Sequence, residues 1–276
     1  MRKVGFVIDS TFTFKTKDIS VVPLKVIIDD AEHVEGQISN DLVVDALKNN
    51  RDLKTSQPTP NSFVEAYEHQ LSLGYEHVIC LTISSTLSGT INGANVAKDI
   101  VDNEKITVID TQSASVGATA VLENALAYAE TGKSVEEVIA YINESVKKGS
   151  VIFSVDNLST LVKNGRLSKV SAFIGGLLRV KPILRFKEGV LTVESKARGI
   201  LGVFKYITAQ VAEMVEKHDV VVRITYVDNL AYAEEMEKSI LDLNNDKIDV
   251  QVRGIVSTVM AAHIGLGGMG IYLGVK

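Results

Sequence analysis

The chain has 276 residues, enough for one large domain or two medium ones, and 46% hydrophobic residues supply sizeable cores. Lysine and arginine total 29 against 34 acidic residues, a net charge of -5 with no basic run, which argues against nucleic acid as a partner. A lone cysteine and five scattered histidines suggest neither a disulfide nor a metal site; no apolar run approaches a bilayer span, and no signal sequence precedes the first strand, so a cytoplasmic protein is expected.

In chain order, "KVGFVID" (3–9) and "ISVVPLKVII" (19–28) read as strands, and "KTSQPTPNS" (54–62) reads as a helix-entry loop with a capping hydroxyl and two prolines. "PNSFVEAYEHQLSLG" (60–74) has helix spacing and ends at Gly74. The apolar strand "HVICLTIS" (77–84) follows, with Cys80 as a small buried hydrophobe. Next come a helix in "SGTINGANVAKDIVDN" (88–103), a strand in "KITVIDT" (105–111), and helices in "ATAVLENALAYAETG" (118–132) and "SVEEVIAYINESVKKG" (134–149). Ser134 caps the last of these, with two acids in its first turn.

Beyond "SVIFSVD" (150–156) the rhythm changes: "KPILRFKEGVLTVESKARG" (181–199) alternates apolar and polar residues around Lys187-Glu188-Gly189, the pattern of a β-hairpin. Strands "VVVRITYVD" (220–228), "DVQVRGIV" (249–256) and "GIYLGV" (270–275) complete the chain. Strands alternating with helices predict an α/β fold with two domains, 1–156 and 157–276: a mostly parallel sheet with flanking helices, then an α/β unit containing the hairpin. The ligand is expected between the two.

Three segments carry candidate chemistry. In "ISSTLSGTINGAN" (83–95), Ser84, Ser85, Thr86, Ser88 and Thr90 crowd the C-terminal end of a strand, where open α/β sheets bind ligands. "KTSQPTPNS" offers Thr55, Ser56 and Thr59, and "AAHIGLGGMG" (261–270) offers His263 among glycines that follow a short helix and precede a strand, the wrong order for a dinucleotide fingerprint. Asp9, Ser10 and Thr11 close the first strand; Asp110, Thr111, Ser113 and Ser115 close another. One reading is a serine-type acyl hydrolase or thioesterase, with Ser85 or Ser88 as nucleophile, His263 as base and Asp9 as orienter. It lacks the Gly-x-Ser-x-Gly elbow. Hydroxyls outnumber bases, which fits better with several O–H groups and one imidazole holding an anion such as a carboxylate. On that reading no residue is catalytic.

"VIDST", "KTSQPTP", "ISSTLSGT", "VIDTQSAS", "LVKNGRLS", "LLRVKPIL", "KARG" and "AAHIGLGGMG", collinear over nearly the whole chain, resemble the DegV family of fatty-acid-binding proteins. The resemblance implies two α/β domains with a long-chain fatty acid sealed between them and no other cofactor. The tail lies in a buried tunnel, and the carboxylate is held by hydroxyls and a histidine. Carried over, the head-group residues are Thr55 with Ser56 or Thr59, Ser85 or Ser88, and His263. Arg198 matches the family's exposed arginine that aids phosphoryl transfer. Gly165 and Arg166 in "NGRLS" are taken as a structural helix stop. In firmicute bacteria such proteins, called FakB, present the fatty acid to a separate fatty acid kinase that feeds phospholipid synthesis. The tunnel is expected along "SAFIGGLL" (171–178), with Phe173, Ile174, Gly175 and Leu177 as lining. A kinase-subunit reading, prompted by the likeness of the family's second domain to dihydroxyacetone kinases, finds no P-loop or kinase-type glycine loop here. With no apolar stripe demanding a partner, a monomer is expected.

Overall fold

The structure, a computed structural model, describes residues 2–14, 16, 18–156, 158–167 and 180–276. The first part of the chain forms β1 (Val4–Asp9), β2 (Ile19–Val22), β3 (Lys25–Ile28), β4 (Ala31–Val34), α1 (Asn40–Lys48), β5 (Leu53–Ser56) and α2 (Pro60–Ser72), then β6 (His77–Thr82), α3 (Thr90–Val101), β7 (Ile106–Asp110), α4 (Val116–Glu130) and α5 (Val135–Lys148). Strands β2-β1-β6-β7 make a sheet that is parallel throughout. Every residue of β1 is buried because helices cover both faces, so the strand reads as an unbroken apolar run. Val4, Phe6 and Ile8 pack with α4 and α5, whereas Val7 faces the α2–α3 side with Phe63, Tyr67 and Ala94. The start of α5 has the reciprocal cap expected from "SVEE": Ser134 Oγ accepts from Glu137 N–H, and the Glu137 carboxylate accepts from Ser134 N–H.

Cys80, in the middle of β6, is fully buried, and burial pushes its thiol up to about 12. Ellman's reagent at pH 8 is expected to leave native protein unlabelled and to titrate one thiol in denaturant; fast labelling without denaturant would contradict this packing.

Two readings change at the small sheet β4-β3-β5, which is antiparallel throughout. "ISVVPLKVII" is two strands in different sheets, because Pro23 has no N–H to continue a ladder; past it, Leu24 N–H donates to Ser10 Oγ instead. The first half of "KTSQPTPNS" is strand rather than loop. Thr55 lies opposite Val26 and Ser56 opposite Lys25.

The later part forms β8 (Ser150–Ser154), α6 (Ser159–Lys163), β9 (Val180–Lys187), β10 (Val190–Arg198), α7 (Gly199–Val215), β11 (Val220–Tyr226), α8 (Leu230–Leu241), β12 (Ile248–Ile255), α9 (Thr258–Ile264) and β13 (Met269–Val275). Its sheet has the order β10-β9-β8-β13-β11-β12, antiparallel except for the β11–β12 pair. Since β8 pairs here, the chain changes sheet at residues 149–150, ahead of the 156/157 division read from the sequence. The hairpin is β9–β10. Its tip residues Glu188 and Gly189 both have positive φ (51° and 78°), as a tight two-residue turn requires. The Gly189 carbonyl accepts from Ser84 Oγ at 2.7 Å and Thr86 Oγ1 at 2.5 Å, tying the hairpin of one sheet to the loop after β6 of the other. Arg185 of β9 clasps the hairpin to its surroundings through Glu194, Ser150 and Gln210, at 2.6, 2.5 and 2.6 Å. No helix among the described residues is long and apolar enough to cross a membrane.

Candidate functional site

The three sheets meet around one apolar cavity. Leu24, Ile83 and Leu87 approach from the first part of the chain, Phe153 from β8 with Val155 just beyond it, Leu161 from α6, Phe186 and Leu191 from the hairpin, and Val259, Met260 and Ile264 from α9. Phe153 and Phe186 meet edge to face, with ring centroids 5.7 Å apart. The cavity volume is about 40 Å³. Among the described residues, polar groups enter it from Thr55, Ser88, Arg166 and His263.

These four arrive from four places. Helix α9 is short and apolar, capped by Ser257, whose Oγ accepts from Met260 N–H, and it carries His263 in its last turn. Gly265 stops it with φ 80°, a conformation open to glycine, in a spot where a Cβ would also stand 3.1 Å from Thr160 Oγ1. His263 Nε2 lies 2.7 Å from Thr55 Oγ1 of β5. Ser88 Oγ lies 2.8 Å from Thr90 Oγ1 at the start of α3. Arg166 follows the turn after α6 and is held by Leu87 O to Nε (3.2 Å) and Asn164 O to Nη1 (2.5 Å).

Burial pushes the His263 imidazole down to about 4, and the nearby Arg166 guanidinium adds to the effect. The ring is therefore neutral at pH 7, and its Nδ1 is buried without a protein partner among the described residues. Two hydroxyls, a neutral imidazole with one uncommitted nitrogen and a guanidinium suit a small anionic head group, and the apolar walls suit a hydrocarbon.

The depressed imidazole predicts a pH dependence. Between about 4 and 6.5 the unfolded chain takes up the proton that the folded chain refuses, so this group's contribution lowers stability as pH falls through that window. The loss is on the order of 3 kcal/mol. Buried Asp9 and Glu35, whose carboxyl groups are pushed up by burial, act in the opposite direction, so wild type must be compared with His263→Leu. Denaturant melts at pH 7 and pH 4.5 are expected to show the wild type losing more stability than the variant; equal losses would refute a neutral buried imidazole.

Of the hydroxyls singled out in the sequence, the structure brings Thr55 and Ser88 to the cavity and leaves the others outside it. Ser56 ends β5 opposite Lys25. Thr59 is exposed and serves as the N-cap of α2, its Oγ1 accepting from Ser62 N–H. Ser85 is exposed, its N–H donating to Asp110. Ser84 and Thr86 are committed to Gly189. Arg198 is exposed at the end of β10, ahead of α7. Phe173, Ile174, Gly175 and Leu177 lie outside the described residues. Arg166, read from the sequence as part of a helix stop, lines the cavity; Gly165, with φ 72°, does provide the stop, and the charge one residue later was the overlooked signal. The Ser-His-Asp arrangement is not assembled. Asp9 accepts from Thr11 N–H, Thr11 Oγ1 and Ile83 N–H, and His263 pairs with a threonine. No cluster of metal-ligating side chains occurs among the described residues.

The model of the DegV family, described as an uncharacterised protein, matches residues 3–275. A DegV domain-containing protein of Staphylococcus aureus (strain MRSA252) is 29% identical over 279 residues, covering 98% of this chain and 98% of its own. Among solved structures, a DegV family protein from Thermus thermophilus, described for its fatty acid binding, superposes with a TM-score of 0.90 at 28% identity over 100% of both chains. DegV from Bacillus subtilis, described as a fatty acid binding protein, superposes with a TM-score of 0.87 at 27% identity, again over 100% of both.

Proposed function

The chain belongs to the DegV family, and from that premise we propose that it binds a long-chain fatty acid, its carboxylate among Thr55, Ser88, Arg166 and His263 and its tail in the apolar cavity. The observation that carries this reading is the Thr55–His263 pair at 2.7 Å, which with Ser88 and Arg166 makes the polar part of a cavity otherwise lined, among the described residues, by apolar side chains. The fatty acids bound by solved relatives support the ligand class. About fourteen buried methylenes at roughly 0.8 kcal/mol each give a gross term on the order of 11 kcal/mol, less the costs of association.

We further infer that the protein is a carrier rather than a hydrolase, because among the described residues the imidazole's second nitrogen meets no carboxylate that would orient it as a base. It presents the bound carboxylate to a separate fatty acid kinase, with Arg198, exposed on the outer strand of its sheet, at that contact. The two domains are the parts of the chain on either side of the cavity. Denaturing extraction followed by mass spectrometry is the test. Near-stoichiometric fatty acid is expected, with masses that report chain length; none recovered, and no thermal stabilisation by added palmitate or oleate, would overturn the reading.

A further inference from the structure

We propose that Glu35, outside the cavity and 223 residues before Thr258, is the positioning residue of the head-group pair: it fixes the helix that carries His263 against the sheet that carries Thr55. Glu35 follows β4 and extends the small sheet, its N–H donating to Leu24 O at 2.9 Å. Its side chain turns away from that sheet toward Ser10 and the start of α9. Oε1 accepts from Val259 N–H at 2.9 Å and Thr258 Oγ1 at 3.1 Å, both in the first turn of α9, and Oε2 accepts from Ser10 Oγ beyond the end of β1. Ser10 Oγ in turn accepts from Leu24 N–H.

Helix α9 is too short to hold its own orientation. It spans seven residues, and Ser257, its local cap, satisfies Met260 N–H but not Val259 N–H. Glu35 supplies the missing acceptor at that helix end. It is 9% exposed, so water cannot readily replace it. One carboxylate thereby joins β1, the β3–β4–β5 sheet and α9, and the distance between Thr55 Oγ1 and His263 Nε2 depends on how α9 sits on β5. The Leu24 side chain, on the residue that pairs with Glu35, lines the same cavity.

The test compares Glu35→Ala, Glu35→Gln and Ser10→Ala by two readouts. The first uses no lipid: the His263 ring is titrated by two-dimensional ¹H–¹⁵N NMR. In wild type it stays neutral to about 4, and in Glu35→Ala it is expected to titrate closer to the ordinary 6.5 as the pair loosens. Glutamine keeps an acceptor for Val259 N–H and is expected to hold the wild-type titration; Ser10→Ala should lie between. The second readout rests on the fatty-acid reading: palmitate affinity falls about tenfold in Glu35→Ala while affinity for hexadecanol, which lacks the carboxylate, changes less than about twofold. An unchanged His263 titration in a folded Glu35→Ala protein, or palmitate and hexadecanol weakened alike, overturns the positioning role. Should Glu35→Ala fail to fold, a wild-type titration in Ser10→Ala overturns it as well. Wild type that binds neither lipid refutes the fatty-acid reading instead, and the titration still decides the role of Glu35.

Discussion

Exchanging Thr55 for valine and His263 for phenylalanine is expected to weaken palmitate binding by about a hundredfold while leaving the fold intact. Each replacement keeps the shape of its side chain and removes a hydrogen-bonding group. A hydrogen bond to a charged partner contributes roughly 1.5–3 kcal/mol, so each single change should cost about ten- to a hundredfold. The two effects should not multiply. Thr55 and His263 are already bonded to each other at 2.7 Å, and removing either leaves the other misplaced, so the double variant should lose less than the product of the singles. Calorimetric titration of the four proteins measures this coupling. Full additivity would mean that the ligand touches the two groups independently, and a double variant within twofold of wild type would place the carboxylate elsewhere.

The second large effect concerns the tail. Leu191 is half-buried on the hairpin wall, and tryptophan there should fill the cavity without forcing apart a fully packed core. If the obstruction excludes about half of the methylenes of a sixteen-carbon chain, the gross loss is on the order of 5 kcal/mol, a drop of more than a thousandfold. An eight-carbon acid, whose short tail stays near the head-group residues, should lose far less. The empty variant should stay folded, because Leu191 is half-buried and overpacking at such a site costs only about 1–3 kcal/mol. Palmitate and octanoate weakened to the same degree would mean that Leu191 is not on the tail's path.

These expectations rest on residues that differed greatly in how visible they were in the sequence. The strands of the parallel sheet were plain, since a strand covered on both faces reads as a continuous apolar run, and the hairpin was plain from its alternation and its turn pair. The small β4-β3-β5 sheet was not. Its strands are four residues long, β4 is half-exposed, and β5 pairs with β3 only across the intervening α1. That sheet nevertheless holds Thr55. His263 was legible through its motif, and Ser88 could be reached only as one of several serines, because which hydroxyl faces a cavity depends on the turn that starts α3. Ser84 and Thr86 look equally functional in the sequence, yet they bond to a backbone carbonyl. Arg166 was hidden by the glycine before it, which explains the motif well enough on its own.

That carbonyl belongs to Gly189, and its use has a consequence for how the two halves of the molecule can diverge. Ser84 and Thr86 recognise the path of the main chain, so what they require of the hairpin is a turn of the right geometry, whatever side chains flank it. Mutational drift along β9 and β10 is therefore uncoupled from the loop that receives them, so long as position 189 can adopt a positive φ. Hairpins grafted between relatives should dock without compensating changes in that loop. The wall residues at 186 and 191 would travel with the graft, so a cavity of different shape could be installed as a single cassette.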